Sequence, residues 1–281
     1  MPGVNPWQFK FYSHHMSNSN ILSVALVQTD IYWKDKSSNL SMLEEKIWSI
    51  RDKVDLIILP EMFNTGFSMD VEELAEHMNF NTGKWMRQMA SQTGSVITGS
   101  LIIKDSDYFY NRLLWVTPEG DVKFYDKKHL FGMANEDQHF SPGMDNIILS
   151  LKGWNIRPQI CYDLRFPVWS RNKGVEGMPS YDMIFFVASW PSPRISAWDA
   201  LLKARAIENQ SYAVGVNRIG VDGNDIPYVG HTSAYDFKGD PICFLSDREE
   251  IAIIHLDKQA LEKSRAKFPF LKDGDKFVIE E

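Results

Sequence analysis

Apolar and polar positions alternate along this chain in ways that separate strands from helices. Residues 21–28, ILSVALVQ, form a branched apolar run that predicts a buried strand. Between residues 36 and 54, Leu40, Leu43, Ile47 and Ile50 recur at helical spacing, which predicts a helix with Ser37 or Ser38 at its N-cap. Residues 56–59, LIIL, predict a short central strand that stops at Pro60, with Glu61 after it. A helix is expected over 81–91, and strands over 95–103, 108–116 and 122–125. The breaks at 104–107 and 118–121 read as hairpin turns.

The stretch 130–143 has little periodicity, and connections of that length are often functional. Strands are expected over 146–151 and 154–160, joined at Lys152-Gly153. Cys161 follows, then a helix over 165–173 and a buried strand over 183–187. Residues 196–210 predict a helix, with Trp198, Leu201 and Leu202 on one face and Ala204, Arg205 and Ala206 favouring it. Strand patterns follow at 212–217, 232–237, 241–245 and 251–255, and a last helix at 257–267. Strands alternating with helices predict an α/β layered fold. There is no internal repeat and no Pro/Gly/Ser-rich boundary, so residues 21–281 are expected to form a single domain. Residues 1–20 carry Pro2, Pro6, Trp7 and His14-His15 without an apolar run. They are expected to be a poorly ordered extension, neither a secretory signal nor a metal site.

The chain has 281 residues, 44% hydrophobic and 24% charged, as in ordinary soluble proteins. A net charge of −7 argues against nucleic-acid binding. No apolar run approaches the length that spans a bilayer, so no membrane partner is expected. Two cysteines, Cys161 and Cys243, make no disulfide framework, which fits a reducing, cytoplasmic compartment. They are eighty-two positions apart, with no Cys-x-x-Cys, which argues against a thiol redox protein.

Three reactive residues share one kind of position. Glu61, Lys127 and Cys161 each follow a predicted strand, and in open α/β sheets ligands bind beyond the carboxyl ends of strands. Strands running the same way in neighbouring positions would bring a carboxylate, an ammonium and a thiol into one pocket. There the carboxylate takes the thiol proton, and the ammonium lowers the thiol pKa and stabilises an attacked oxygen. The backbone N–H of Tyr162 completes an oxyanion hole, and the carboxylic acid returns its proton to an amine leaving group. Each residue also has a plainer reading: Cys161 as apolar filler, Lys127 as part of the solvated run Asp126-Lys127-Lys128-His129, Glu61 as a partner of turn amides. Asp163-Leu164-Arg165 reads as an ion pair shaping the turn. His129 reads as a packing or hydrogen-bonding neighbour of the lysine rather than a base.

Pro60-Glu61-Met62-Phe63, the run Tyr125 to Phe131 (YDKKHLF) and the run Ile160 to Pro167 (ICYDLRFP) resemble, in order and spacing, the three signatures of the nitrilase, or carbon–nitrogen hydrolase, superfamily. The resemblance extends from Ile21 to about His255. It implies a four-layer αββα sandwich of two mixed sheets with helices outside, commonly dimerised, so a homodimer or higher homo-oligomer is expected. It assigns the catalytic glutamate, lysine and cysteine to Glu61, Lys127 and Cys161. It assigns a second glutamate, which positions lysine and substrate, to Glu136 ahead of Ser141-Pro142-Gly143. It calls for no metal or organic cofactor.

Within the superfamily, Ala188-Ser189-Trp190-Pro191, the run Lys203 to Gln210 and Gly215-Val216-Asn217-Arg218 are most similar to omega-amidases, which hydrolyse the terminal amide of 2-oxo acids such as 2-oxoglutaramate. The expected partners are then a small amide and water. Other amidases of the superfamily, acting on N-carbamoyl amino acids or aliphatic amides, are the nearest alternative. A nitrile hydrolase and a catalytically silent binding protein are further ones. Phe63, Phe131 and Trp190 adjoin the motifs and are candidates for the pocket wall, with core packing as their other reading. Arg194 is the candidate for a distal carboxylate, with exposure as its alternative. Arg205 is expected to pair with Glu208.

Overall fold

The computed structural model describes residues 20–173 and 178–279. The expected N-terminal extension lies outside the described residues except for Asn20, whose carbonyl accepts from Lys258 N at 3.0 Å.

β1 (Ile21–Gln28) leads to α1 (Lys36–Ser49) and β2 (Leu56–Ile58). The cap of α1 is Asp35 rather than either serine. Its carboxylate accepts from Ser38 N at 3.0 Å, and the Ser37 and Ser38 hydroxyls donate to it. A carboxylate is the stronger acceptor at the positive end of a helix. The helix also stops short of the expected residue 54, because Ile50 turns extended. A short α2 (Val71–Leu74) and α3 (Asn81–Thr93) come next, and Gly94 closes α3 in the left-handed conformation. β3 (Val96–Asp105), β4 (Tyr108–Val116) and β5 (Val122–Asp126) are antiparallel neighbours joined by the two expected hairpins.

The long connection holds a 3₁₀ turn (Gly132–Ala134) and α4 (Glu136–His139). β6 (Leu149–Leu151) and β7 (Trp154–Ile160) pair antiparallel. Instead of one helix over 165–173, the chain forms a 3₁₀ segment (Cys161–Arg165) and a short α5 (Pro167–Ser170). Pro167 supplies no N–H and pushes Phe166 out of the helical region, to φ −111° and ψ 89°. β8 (Met183–Ala188), α6 (Ile195–Asn209) and β9 (Tyr212–Asn217) follow as expected. The hairpin of β10 (Ile219–Val221) and β11 (Pro227–Val229) was not expected. β12 (Ser233–Tyr235), β13 (Pro241–Phe244), β14 (Glu250–Asp257) and α7 (Lys258–Lys267) complete the order.

Two mixed six-stranded sheets result, in orders β14-β1-β2-β3-β4-β5 and β13-β12-β9-β8-β7-β6. Strand alternation sorts their side chains. Leu22, Val24, Leu26, Leu56, Ile58, Leu113 and Trp115 of the first sheet meet Ile156, Ile160, Met183, Phe185, Val187, Val214 and Val216 of the second in one core. Ala25, Val27, Ile57 and Ile97 face outward against α1 and α3, through Leu43, Ile47, Met86 and Met89. Ile184, Phe186 and Ala213 face outward against Trp198, Leu202 and Ala206 of α6. The four layers are those of the expected αββα sandwich. Gly215 is what lets α6 lie close to its sheet: a Cβ there would stand 2.4 Å from Leu202 and 2.5 Å from Trp198. Among the described residues no helix is long and apolar enough to cross a membrane.

Candidate active site

The strand-end residues do converge, but not along one sheet. Glu61 and Lys127 follow β2 and β5, which run the same way in the first sheet with β3 and β4 between them, and Cys161 follows β7 in the second. The site is closed by stacking two sheets face to face. Alternation aims its members: Lys127 continues the inward face of Tyr125, and Asn111 shares the inward face of Leu113 and Trp115.

The result is a buried cluster of charge. Lys127 Nζ donates to Glu61 Oε1 at 2.9 Å and to Glu136 Oε1 and Oε2 at 3.0 and 2.8 Å. Asn111 Nδ2 donates to Glu61 Oε1 at 2.8 Å and Glu136 Oε1 at 3.1 Å. Ser189 N, just past β8, donates to Glu61 Oε2 at 2.8 Å and ties the carboxylate to the second sheet. Phe131 N donates to Glu136 Oε2 at 2.6 Å. Glu136 reaches inward because Asn135, at φ 57°, turns the chain into α4. All four side chains are at most 1% exposed.

Cys161 sits half-buried where β7 breaks, in a left-handed conformation at φ 42° that side-chain-bearing residues rarely adopt. Asp163 holds that turn. Its carboxylate accepts from Ile160 N at 3.1 Å, from Tyr125 OH at 2.8 Å and from His129 N at 3.0 Å, and lies 2.8 Å from His129 Nδ1. The expected Asp163–Arg165 ion pair is therefore not formed, because Asp163 spends its oxygens joining the cysteine turn to β5 and to the residues after Lys127. His129 is occupied by Asp163 and stacks on Phe166 at 3.7 Å, so the hydrogen-bonding reading holds for it. From the other side, Arg205 donates to the Leu164 carbonyl at 2.5 Å and pairs with Glu208 at 2.7 Å, as expected.

Electrostatics modify the expected chemistry. Burial opposes charge on Lys127, but the Glu136 and Glu61 carboxylates outweigh it and hold the ammonium far above its ordinary pKa. Burial and the neighbouring Glu61 carboxylate push the Glu136 and Cys161 groups upward against the pull of Lys127. For Cys161 the rise is large: Lys127 pulls the thiol pKa down as expected, but burial and Glu61 outweigh it, so a base is needed to take the thiol proton during attack. Tyr162 N–H lies in the first turn of the 3₁₀ segment, where amides lack an intrahelical partner, the position expected of an oxyanion donor.

A cavity of about 510 Å³ opens over Cys161 and Lys127. Phe131, Trp190 and Arg194 line it, but Phe63 does not. Phe63 is fully buried, lies 6.1 Å from Trp85 and is covered by Gly99, where a Cβ would stand 2.7 Å from its ring. Phe63, two residues after Glu61, packs into the helix-covered layer, and Phe67 takes its place at the wall, 5.3 Å from Lys127 Nζ. Sequence reasoning gave Arg165 only a turn-shaping ion pair, and it passed over Asn111 and the hairpin that brings Asp222, Asn224 and Tyr228 to the rim. A lone amide inside the apolar run of β4 was the one signal for Asn111. Among the described residues no group of three or more His, Cys, Asp and Glu side chains is placed to hold a metal ion.

Comparison with known proteins accords with this geometry. The family model described as carbon-nitrogen hydrolase matches residues 23–266. The chain is 41% identical over 261 residues to omega-amidase YafV of Escherichia coli, covering 92% of this chain and 98% of that protein. It is 30% identical over 254 residues to 2-oxoglutaramate amidase of Bacillus subtilis, covering 89% and 96%. A solved carbon–nitrogen hydrolase superfamily protein from Xanthomonas campestris, which carries an arsenic adduct in its active site, superposes with a TM-score of 0.90 at 40% identity, covering 92% of this chain and 99% of that one.

Proposed function

The chain belongs to the carbon–nitrogen hydrolase family, and we propose that it is an omega-amidase, releasing ammonia from the terminal amide of a small 2-oxo acid such as 2-oxoglutaramate. Cys161 Sγ attacks the amide carbon while Glu61 accepts the thiol proton. Lys127 and the Tyr162 N–H stabilise the oxyanion, and Glu136 holds Lys127 in place. As the C–N bond breaks, Glu61 returns the proton to the departing nitrogen, leaving ammonia and a Cys161 thioester. Water then attacks the thioester, giving its proton to Glu61. The acid leaves and Glu61 reprotonates the sulfur, so the cycle closes without added oxidant or reductant.

The observation that carries the substrate class is a pair of unpaired guanidinium groups. Arg165 and Arg194 both line the cavity, and neither has a carboxylate partner among the described residues. Each lies over an aromatic face, Arg165 4.8 Å from Trp190 and Arg194 5.1 Å from Phe131. The acidic groups of the wall are engaged. Asp70 pairs with Lys34, and Asp222 accepts from Tyr228 OH at 2.9 Å and from the Asn224 and Ile226 amides. Such a wall suits a carboxylate, with no free acid for a 2-amino group. The names of the relatives support the same reading. A homodimer or higher homo-oligomer working in the cytoplasm is part of the proposal, and a single-chain mass in sedimentation would end its oligomer element.

The test is ammonia release from 2-oxoglutaramate, glutamine, an N-carbamoyl amino acid and propionamide, with Cys161→Ala as control. The 2-oxo acid amide should lead in kcat/KM by at least about tenfold, the value of one charge-assisted contact. Preference for the carbamoyl compound would sink the assignment.

A further inference from the structure

We infer that Asn111 is a positioning residue that decides which of the two buried carboxylates acts as the base. The inference rests on the amidase reading of Glu61, and its basis is a count of acceptor sites. A carboxylate offers about four lone-pair sites, two on each oxygen. Glu136 fills all of its own: Oε1 accepts from Lys127 and Asn111, and Oε2 from Lys127 and Phe131 N. Glu61 fills three: Oε1 accepts from Lys127 and Asn111, and Oε2 from Ser189 N alone. One site remains, on Glu61 Oε2, and that is where the Cys161 proton goes.

The difference lies at the Oε2 atoms, and Asn111 preserves it: its single NH₂ spends one N–H on each carboxylate and so fills the Glu136 site that would otherwise open. Its side chain sits where Lys127 cannot serve alone: one ammonium faces two carboxylates in a dry site, and the amide adds two donors without adding charge. Without those donors, Oε1 of both glutamates gains an open site. Each carboxylate then holds a proton more tightly, since hydrogen bonds to an ionised form favour it. Glu136 becomes a competing proton acceptor in direct contact with Lys127. The backbone carbonyl of Asn111 accepts from Lys127 N at 3.0 Å and is untouched by a side-chain change, so substitution isolates the amide.

The experiment compares wild type with Asn111→Ala, Asn111→Ser and Asn111→Asp in the full chain. It reads the pH profile of kcat/KM for ammonia release, the pH dependence of Cys161 alkylation by iodoacetamide, and thermal unfolding. Asn111→Ala should move the acid limb up by about one pH unit, the size of one charge-assisted hydrogen bond. Its kcat should fall about 10- to 100-fold, with KM within about threefold. Asn111→Ser, with one donor, should fall between it and wild type. Asn111→Asp keeps the side chain's shape and should move the limb furthest, so it carries the test if the alanine variant does not fold. An acid limb that stays in place in a folded variant overturns the inference, as does activity lost only in proportion to the folded fraction. Wild-type protein that releases no ammonia, or an active Cys161→Ala, would instead overturn the amidase reading, while the alkylation profile would still report on Asn111.

Discussion

The floor and the wall of the cavity are built differently. The floor is the Glu61, Lys127, Glu136 and Asn111 cluster, fully buried, with three of its four members in or just beyond strands of the first sheet. The wall is Arg165, Arg194, Phe131, Trp190 and the β10–β11 hairpin, drawn almost wholly from turns and loops. Hydrogen-bond donors and acceptors on the floor are matched nearly one to one. On the wall, two guanidinium groups have aromatic neighbours but no anion. A buried charge without partners is very costly, so the floor must be complete before substrate arrives. A solvated wall can wait for its partner. Chemistry is thereby tied to the rigid sheets and selectivity to parts that vary with little cost to the fold.

The sharpest way to break this contrast is to strike the floor. Cys161→Ala should abolish ammonia release, by at least about a thousandfold, with little change in unfolding temperature. Lys127→Met should cost about 10²–10³ in kcat. It should also destabilise the protein by about 3–5 kcal/mol, because two buried carboxylates lose their cation. Full stability in a denaturant titration would show that the cluster is less closed than described. Wall changes should behave otherwise. Arg165→Met should raise KM for a carboxylated amide about 10- to 100-fold and leave an uncharged amide unaffected. Equal losses on both would move Arg165 from selectivity to general architecture.

Two smaller effects sharpen the comparison. Burial and the Glu61 charge both favour the neutral Cys161 thiol, so wild-type alkylation should keep rising with pH past the ordinary thiol range. Glu61→Gln removes a negative charge beside the thiol and should move that inflection to lower pH while turnover falls. Movement to higher pH would mean that Glu61 does not face the sulfur. Phe63→Leu should cost about 1–2 kcal/mol of stability and leave KM unchanged, since Phe63 belongs to the helix-covered layer. Phe131→Leu should do the reverse.

The layers were legible because their periodicities are strong. β1 alternates across two cores, α6 presents Trp198 and Leu202 on one side, and β4 occupies its predicted residues. The 165–173 helix failed at Pro167, whose effect on Phe166 is local chemistry that apolar spacing does not register. The β10–β11 hairpin was missed because its three-residue strands are too short to show a period. Phe63 and Phe131 look alike as motif neighbours, yet one is sealed under Gly99 and the other stands at the wall.

By itself the sequence determined the succession of strands and helices and which residues carry reactive groups at strand ends. Those properties follow from period-two and period-3.6 patterning and from short motifs, all encoded within a few residues. Only the tertiary structure decided that Glu61 and Lys127 meet Cys161 across two sheets instead of along one. It also decided that Asn111 bridges both glutamates, that Asp163 turns away from Arg165 and leaves that guanidinium to the cavity, and that burial and Glu61 push the thiol pKa up. Each depends on which face a side chain takes and what the opposing layer presents, and on electrostatics that strengthen once water is excluded. Those quantities exist only after residues distant in the chain have packed together.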